Sequence, residues 1–322
     1  MIKIGIVGYG NLGKGVEIGL SLQPDMELVG IFTRRQPEQV ESTSPVYHMD
    51  DILDFKDQID VLLLCGGSAT DIPEQAPVLQ ADFNTVNSYD NHGEIPAHYD
   101  KIDKIARENN RVGVIATGWD PGLFSLNRLL AEAILPKGKT YTFWGKGVSQ
   151  GHSDAIRRVA GVKFGAQYTV PNEDLIEAIK AGEDVTYTKT SSHKRICYVV
   201  LEDGADAADV TEKITTMKDY FVGYETEVHI IDEAKFQAEH TAMPHGGKVL
   251  RSGQTDETNK SVYEFSLALD SNPQFTAAVA IAYARAAFRL SEEKQFGAKS
   301  VLDIPPAYLS PKSGEQLRKE LL

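Results

Sequence analysis

Short apolar runs punctuate the first third of the chain: Ile2-Val7, Glu27-Phe32, Asp60-Leu64, Thr85-Ser88 and Val112-Ala116. Runs of this length, rich in branched residues, fit strands of a buried sheet. The intervening stretches carry apolar residues at helical spacing and predict helices starting near Asn11, Asp71 and Ile95. Pro73 and Pro96 suit the first turns of the last two, where a proline's missing N–H has no helical partner to lose. Strands alternating with helices through residue 118 are the mark of a doubly wound parallel sheet.

Beyond Pro121 the order changes. A helical stretch, Gly122 to Leu135, leads to a strand at Thr140-Trp144, a glycine-rich connection and a helix over Asp174-Ala181. Strands then read Arg195-Leu201, Thr226-Ile231, Lys248-Arg251 and Val262-Leu269, with a helix between Ala207 and Met217. This pattern predicts an open α+β domain over 119–295 after a first domain of 1–118. A long alanine-rich helix follows from Gln274 to Leu290, with Asn272-Pro273 as its cap and first turn. Pro305, Pro306 and Pro311 precede a last short helix.

Composition narrows the class. At 322 residues, 42% hydrophobic and 25% charged, the chain is of ordinary globular make-up and long enough for two domains. A net charge of −13 argues against nucleic acid or an anionic membrane as the main partner. Cys65 and Cys197 stand far apart, which gives neither a disulfide framework nor a zinc signature, and fits a reducing cytoplasm. The N-terminus enters a strand with no signal-peptide pattern, and no run is long enough to span a bilayer. The eight histidines are scattered, and His152 with Asp154 lacks a third ligand, so no metal site is expected.

Gly8-Tyr9-Gly10-Asn11-Leu12-Gly13 lies between the first strand and the first helix. There the glycines permit a tight turn, close approach of backbone to a pyrophosphate, and packing of helix on strand, so a dinucleotide fold of the Rossmann type is predicted. Phosphate oxygens would meet the positive end of the helix. After the second strand the chain reads Thr33-Arg34-Arg35, where an NAD site would place a carboxylate on the ribose. Adjacent guanidiniums suit a 2′-phosphate instead, so NADP is expected over NAD. In the null case they are a solvated loop.

Ligands of such sheets collect beyond the carboxyl ends of the strands. Cys65-Gly66-Gly67-Ser68-Ala69-Thr70, Ser88-Tyr89-Asp90-Asn91-His92 and Thr117-Gly118-Trp119-Asp120-Pro121 all occupy such ends and are expected to line the cofactor crevice. Asp90 and Asp120, remote in sequence, would then share one edge. Each is either a carboxylate for a substrate or a plain cap or turn residue. Cys65 is expected to pack there, not to react.

Across the chain the strings GYGNLG, FTRR, GSATDIPEQAP, YDNH, TGWDPG, FWGKGVSQGHSDA, SSHKR, MKDYFVGYE, MPHGG and DSNPQFTA occur in this order. Together they resemble the meso-diaminopimelate dehydrogenase family over essentially the whole length. The resemblance implies a homodimeric, NADP-dependent enzyme of lysine biosynthesis. It would deaminate the D-configured end of meso-2,6-diaminopimelate to L-2-amino-6-oxoheptanedioate (L-tetrahydrodipicolinate), and run backwards with ammonia and NADPH. It also implies that the second domain serves substrate binding and dimerisation, and that 296–322 returns to the dinucleotide-binding domain.

For the substrate, the resemblance places Asp90, Asp120, Trp144, Gln150 and Gly151 at the reacting D end. Hydride can leave only after the substrate nitrogen has lost its proton. Asp120, supported by Asp90, is the expected acceptor. Arg195 in Ser192-His193-Lys194-Arg195 would clamp the distal carboxylate, with Thr169, His245 and Asn272 around that L end. Thr169 has a plain strand alternative, His245 a turn, Asn272 a helix cap, Trp144 a core position and Arg195 a solvated basic run. Gln150-Gly151 follows a glycine-rich loop and suggests a segment closing over ligand. Two other functions compete: an NADP-linked reductase such as dihydrodipicolinate reductase, whose His-His string is missing here, and a catalytically silent NADP sensor.

Overall fold

The computed structural model describes residues 1–218 and 220–322; Asp219, within one of the strings above, lies outside the described residues. The chain begins β1 (Ile2–Val7), α1 (Asn11–Leu20), β2 (Met26–Thr33), β3 (Val46–His48), β4 (Val61–Leu64), α2 (Ile72–Leu79), β5 (Asn84–Asn87), α3 (Ile95–Glu108), β6 (Val112–Val114) and α4 (Leu123–Ile134). It continues with β7 (Lys137–Trp144), β8 (Gly147–Val148), α5 (Gln150–Arg157), β9 (Val162–Pro171), α6 (Glu173–Ala181), α7 (Lys189–Ser192), β10 (His193–Leu201), α8 (Ala207–Thr215), β11 (Thr226–Ile230), α9 (Glu233–Glu239), β12 (His245–Gln254) and β13 (Lys260–Leu269). The last elements are α10 (Asn272–Glu292), β14 (Gly297–Lys299) and α11 (Gly314–Leu321).

Two compact units result, one of residues 1–126 with 273–322 and one of 127–272. The first holds a seven-stranded sheet ordered β14-β6-β5-β4-β1-β2-β3, and every neighbouring pair is parallel. The order of the strands reverses between β1 and β4, the chain building outward to one side through β2 and β3 and then to the other through β5, β6 and β14, and at such a switch point doubly wound sheets bind ligands. Alternation along the strands explains why both faces are covered. Val61 and Leu63 join Ile4, Ile6, Val16 and Leu20 in one core, while Leu62 and Leu64 join Phe32, Ile72, Leu79 and Ile102 in another.

The long helix α10 differs from the sequence expectation. It was placed with the second domain, yet Ala277, Ala280, Ile281, Ala284, Ala287 and Leu290 pack into the first core with Ile2, Ile4 and Val16. Its small side chains allow close approach, since a Cβ on Gly15 of α1 would meet Ala277 Cβ at 3.1 Å. β14 then pairs with β6 through Gly297↔Val112, so the chain end re-enters the parallel sheet.

The second unit is α+β. One sheet is ordered β11-β10-β9-β8 and the other β13-β12-β7. β9 is ten residues long and was missed, because its inward positions include the polar Gln167 and Thr169. β3, β8 and β14 were too short for a pattern to register. The segment from Gln150, expected as a closing loop, is the first turn of α5.

Candidate active site

In the first unit the loops after β1, β2 and β4 frame a cavity of about 430 Å³, lined by Gly8, Tyr9, Gly10, Thr33, Arg34, Arg35, Cys65, Gly66, Gly67, Asp71 and others. Gly8 has φ +88°, and a Cβ on Gly13 would sit 2.3 Å from the Gly8 carbonyl oxygen. Those two glycines are required by the turn and by helix packing. At Gly10 an added Cβ would meet nothing within 4 Å, so its bareness answers no neighbour in the chain and suits a pyrophosphate passing close by. Arg35 donates through Nη2 to the Tyr9 carbonyl at 2.6 Å, and Arg34 pairs with Asp71 at 2.8 Å. Both guanidiniums stay exposed. The residues thus fit an anionic dinucleotide with a phosphate near the end of β2.

Several expected cofactor residues have side chains turned into the protein and could offer a ligand only their backbone. The side chains of Tyr9, Cys65, Tyr89 and Trp119 are buried, and Leu12 packs on the core. Tyr9 donates its hydroxyl to Glu17, Tyr89 lies 4.5 Å from the His98 ring, and Trp119 meets Phe124 edge-on at 5.2 Å. Burial pushes the Cys65 thiol up to about 12, which makes it inert near neutral pH. Asn11 opens α1; Ala69 and Thr70 are exposed in the turn before α2, and Ser88 and Thr117 approach each other at 3.4 Å beyond β5 and β6.

The two carboxylates arise differently. Asp90 is exposed after β5 and is held by Ser68, whose hydroxyl donates to Oδ1 at 2.5 Å and accepts the Asp90 N–H at 2.9 Å. Asp120 is half-buried in the turn after β6. That turn closes on itself: a Cβ on Gly122, at φ +136°, would lie 1.9 Å from the Gly118 oxygen, so only glycine allows Asp120 and Pro121 to be presented there.

In the second unit the expected L-end residues gather at one row of strands. Gly147, Thr169, Arg195 and Thr226 are register partners across β8, β9, β10 and β11. Arg195 is 7% exposed, donates through Nη1 to Thr169 Oγ1, and its guanidinium carbon sits 4.1 Å from the Tyr224 ring centre. Its Nε has no partner, and neither has Gln167 Oε1, both buried. No carboxylate pairs with this guanidinium among the described residues. Burial lowers its pKa, but a guanidinium stays protonated near neutral pH, so with no carboxylate beside it the pocket holds an unneutralised cation. The glycine connection draws His245 to the same place. A Cβ on Gly145 would meet the Thr169 oxygen at 2.1 Å, and one on Gly147 the His245 Cα at 2.4 Å.

His245 opens β12, with Nδ1 2.8 Å from the Gly246 N–H, and burial lowers its pKa; the neutral ring can then present Nε2–H to a ligand. Asn272, whose backbone N–H donates to the Met243 carbonyl at 3.0 Å, begins α10. Trp144 ends β7 half-buried, and its backbone N–H donates to His193 Nε2 at 2.8 Å. Gln150 is exposed with its amide 3.2 Å from Met243 Sδ, and Gly151 faces open space.

Four participants were missed by sequence reasoning. Tyr224 supports Arg195, Gln167 shares Thr169 with it at 3.5 Å, and His152 and His193 both feel its charge. Burial is the first cause that holds both imidazoles down at about 4 and Arg195 a further one, so among these three side chains it is Arg195 that carries the positive charge. All but Gln167 lie within the family strings, but nothing in a string says which of its residues touch. Among the described residues no cluster could hold a metal, and no helix is long and apolar enough to cross a membrane.

Known proteins resemble this chain over its whole length. The family model "Diaminopimelic acid dehydrogenase C-terminal domain" matches residues 118–271. The chain is 55% identical over 323 aligned residues to the meso-diaminopimelate D-dehydrogenase of Ureibacillus thermosphaericus, covering 100% of this chain and 99% of that one. It is similar to the structure of the C. glutamicum DAP dehydrogenase in complex with DAP, at 48% identity and a TM-score of 0.91, covering 100% and 99%. It is also similar to an engineered D-amino acid dehydrogenase bound to NADP+, at 46% identity and a TM-score of 0.86, with the same coverage.

Proposed function

The chain belongs to the meso-diaminopimelate D-dehydrogenase family, and from that premise we propose how its residues divide the work of the reaction. The activity is the reversible, NADP-dependent oxidative deamination of the D centre of meso-2,6-diaminopimelate, a step of lysine biosynthesis. The reductase and sensor alternatives give way to it.

Bound NADP accepts the hydride. The glycine loop Gly8 to Gly13 holds its pyrophosphate, and Thr33, Arg34 and Arg35 hold the 2′-phosphate. Arg195 grips the carboxylate of the L end, and Thr169, His245 and Asn272 donate to it or orient it. Asp90 and Asp120 receive the ammonium of the D end, and Asp120 takes the proton that must leave before an imine can form. Trp144 keeps bulk water from the reacting carbon during hydride transfer, with Gln150 and Gly151 beside it, and one water then adds to the imine carbon so that the C–N bond breaks and ammonia leaves. With the L end fixed, only the D-configured carbon is offered for hydride loss. Ammonia is the second product, a homodimer the working assembly, and the cytoplasm, where the unpaired Cys65 and Cys197 stay reduced, the compartment.

The observation that carries the residue assignment is the buried Arg195 with an unpartnered Nε and no carboxylate. A guanidinium so placed costs stability unless an anion completes it. NADP reduction measured with meso-, LL- and DD-diaminopimelate tests the reading: activity is expected with the meso isomer and little with LL, and a chain inactive on the meso isomer would refute it.

A further inference from the structure

The cavity after β2 contains a residue that has no obvious place in it. Asp71 occupies the N-cap of α2, yet its side chain makes no capping bond. Instead Oδ2 accepts the Gly67 N–H at 2.8 Å and Oδ1 accepts Arg34 Nη2 at 2.8 Å. Its carboxylate therefore lines the pocket that takes a phosphate. Next to a 2′-phosphate an uncompensated carboxylate is repulsive, by the same charge argument that removes the acidic residue from the end of β2.

The two arginines are not equivalent. Arg35 leans on a neutral carbonyl, that of Tyr9, so its full charge remains for a ligand. Arg34 is already matched by a carboxylate, and the side chains are 70% and 19% exposed for Arg34 and Asp71 respectively. The more buried partner is thus the anion, which has more to lose when left alone.

We propose that Asp71 is a specificity-determining residue for the cofactor, and that Arg34 acts chiefly by masking Asp71 while Arg35 supplies most of the attraction for the 2′-phosphate. Asp71 tempers the preference for NADP over NAD, and through Gly67 it ties this setting to the turn after β4. This rests on the reading that Arg34 and Arg35 face the 2′-phosphate.

The test is direct binding of NADP and of NAD by calorimetry, with melting temperature as the check on folding, for Arg35→Ala, Arg34→Ala, Asp71→Asn and the double variant Arg34→Ala/Asp71→Asn. Asparagine keeps one acceptor, for Gly67, and removes both the charge and the acceptor that Arg34 uses. Arg34→Ala should weaken NADP by about tenfold and NAD far less, and adding Asp71→Asn should recover most of that loss. Asp71→Asn alone should tighten NADP by about fivefold and leave NAD unchanged. A double variant as weak as Arg34→Ala overturns the proposal while leaving the phosphate reading standing, provided Arg35→Ala still discriminates. If neither arginine variant separates NADP from NAD, the phosphate reading falls and the proposal with it.

Discussion

Arg285 in the first unit and Arg195 in the second are both buried, at 2% and 7% exposure, and their surroundings are opposite in kind. Arg285 gives Nε and Nη2 to the two oxygens of Asp25 at 2.6 and 2.7 Å, Nη2 also to Gln23 at 2.8 Å, and Nη1 to the Leu309 carbonyl at 2.7 Å. It is a finished structure that ties α10 and the chain end to the entrance of β2. Arg195 has one hydroxyl, an aromatic face and an idle Nε. The lesson is that burial of a cation does not tell a brace from a receptor; the completeness of its partners does.

The largest effect is expected where the brace is broken. Arg285→Met leaves the half-buried Asp25 without its cation, and the Arg285 bond is the leading reason that carboxyl sits below its usual range. Losing this pair, buried on its arginine side, together with the Gln23 and Leu309 bonds costs about 3 kcal/mol of stability, read by urea denaturation, while the KM values of the surviving folded protein should hold. Arg195→Met should do the reverse. It is expected to lose about 2 to 3 kcal/mol of transition-state binding, a fall of about 100-fold in kcat/KM for meso-diaminopimelate, with NADP binding and melting temperature little changed. If Arg195→Met unfolds the protein as badly as Arg285→Met, the two arginines are both braces and the contrast fails.

The first unit was far more legible than the second, for a physical reason. A sheet buried on both faces writes itself as apolar runs such as Val61–Leu64, and a phosphate-binding turn as glycines at fixed spacing, so fold and cofactor loop could be read residue by residue. The receptor left no such trace. Its row of Gly147, Thr169 and Arg195 depends on strand register, which is a long-range property, and β9 hid behind buried polar residues that imitate a loop. Arg195, Thr169 and His245 were named through the family resemblance, Thr169 without a string of its own, whereas Tyr224, Gln167, His152 and His193 needed coordinates. Similarly, Arg285 lies in an alanine-rich helix that reads as packing only, with Asp25 some 260 residues away in the chain.

Acid separates the two regions next. His193 is held at about 4 in the folded protein, by burial first and by Arg195 among the other causes, against an ordinary value of 6.5. Between those values the unfolded chain binds more protons than the folded one, so stability is lost as pH falls from about 6.5 towards 4 and is level above that window. The share from His193 is on the order of 1.5 kcal/mol between about pH 6.5 and 5. His193→Asn should remove this share of the slope of a melting-temperature profile and leave the share of His152, which is held at about 4 as well. An unchanged slope would mean that His193 is not held neutral, and the pocket would then carry more cation than Arg195 alone.

The smallest effect probes what completes the receptor. Thr169 Oγ1 takes an N–H of Arg195 and lies 3.5 Å from the Gln167 amide, so its hydroxyl aims a guanidinium that no carboxylate steadies. Thr169→Val keeps the β-branched shape on β9 and removes only that oxygen, at a cost of about 1 kcal/mol. Because the loss is felt at the L end and not at the reacting carbon, KM for meso-diaminopimelate should rise about fivefold with kcat nearly unchanged. In an Arg195→Met background the same change should cost nothing further, since the hydroxyl then has no guanidinium to aim. A drop in kcat, or full additivity with Arg195→Met, would place Thr169 on the substrate in its own right, and Arg195 would need another neighbour to hold it in place.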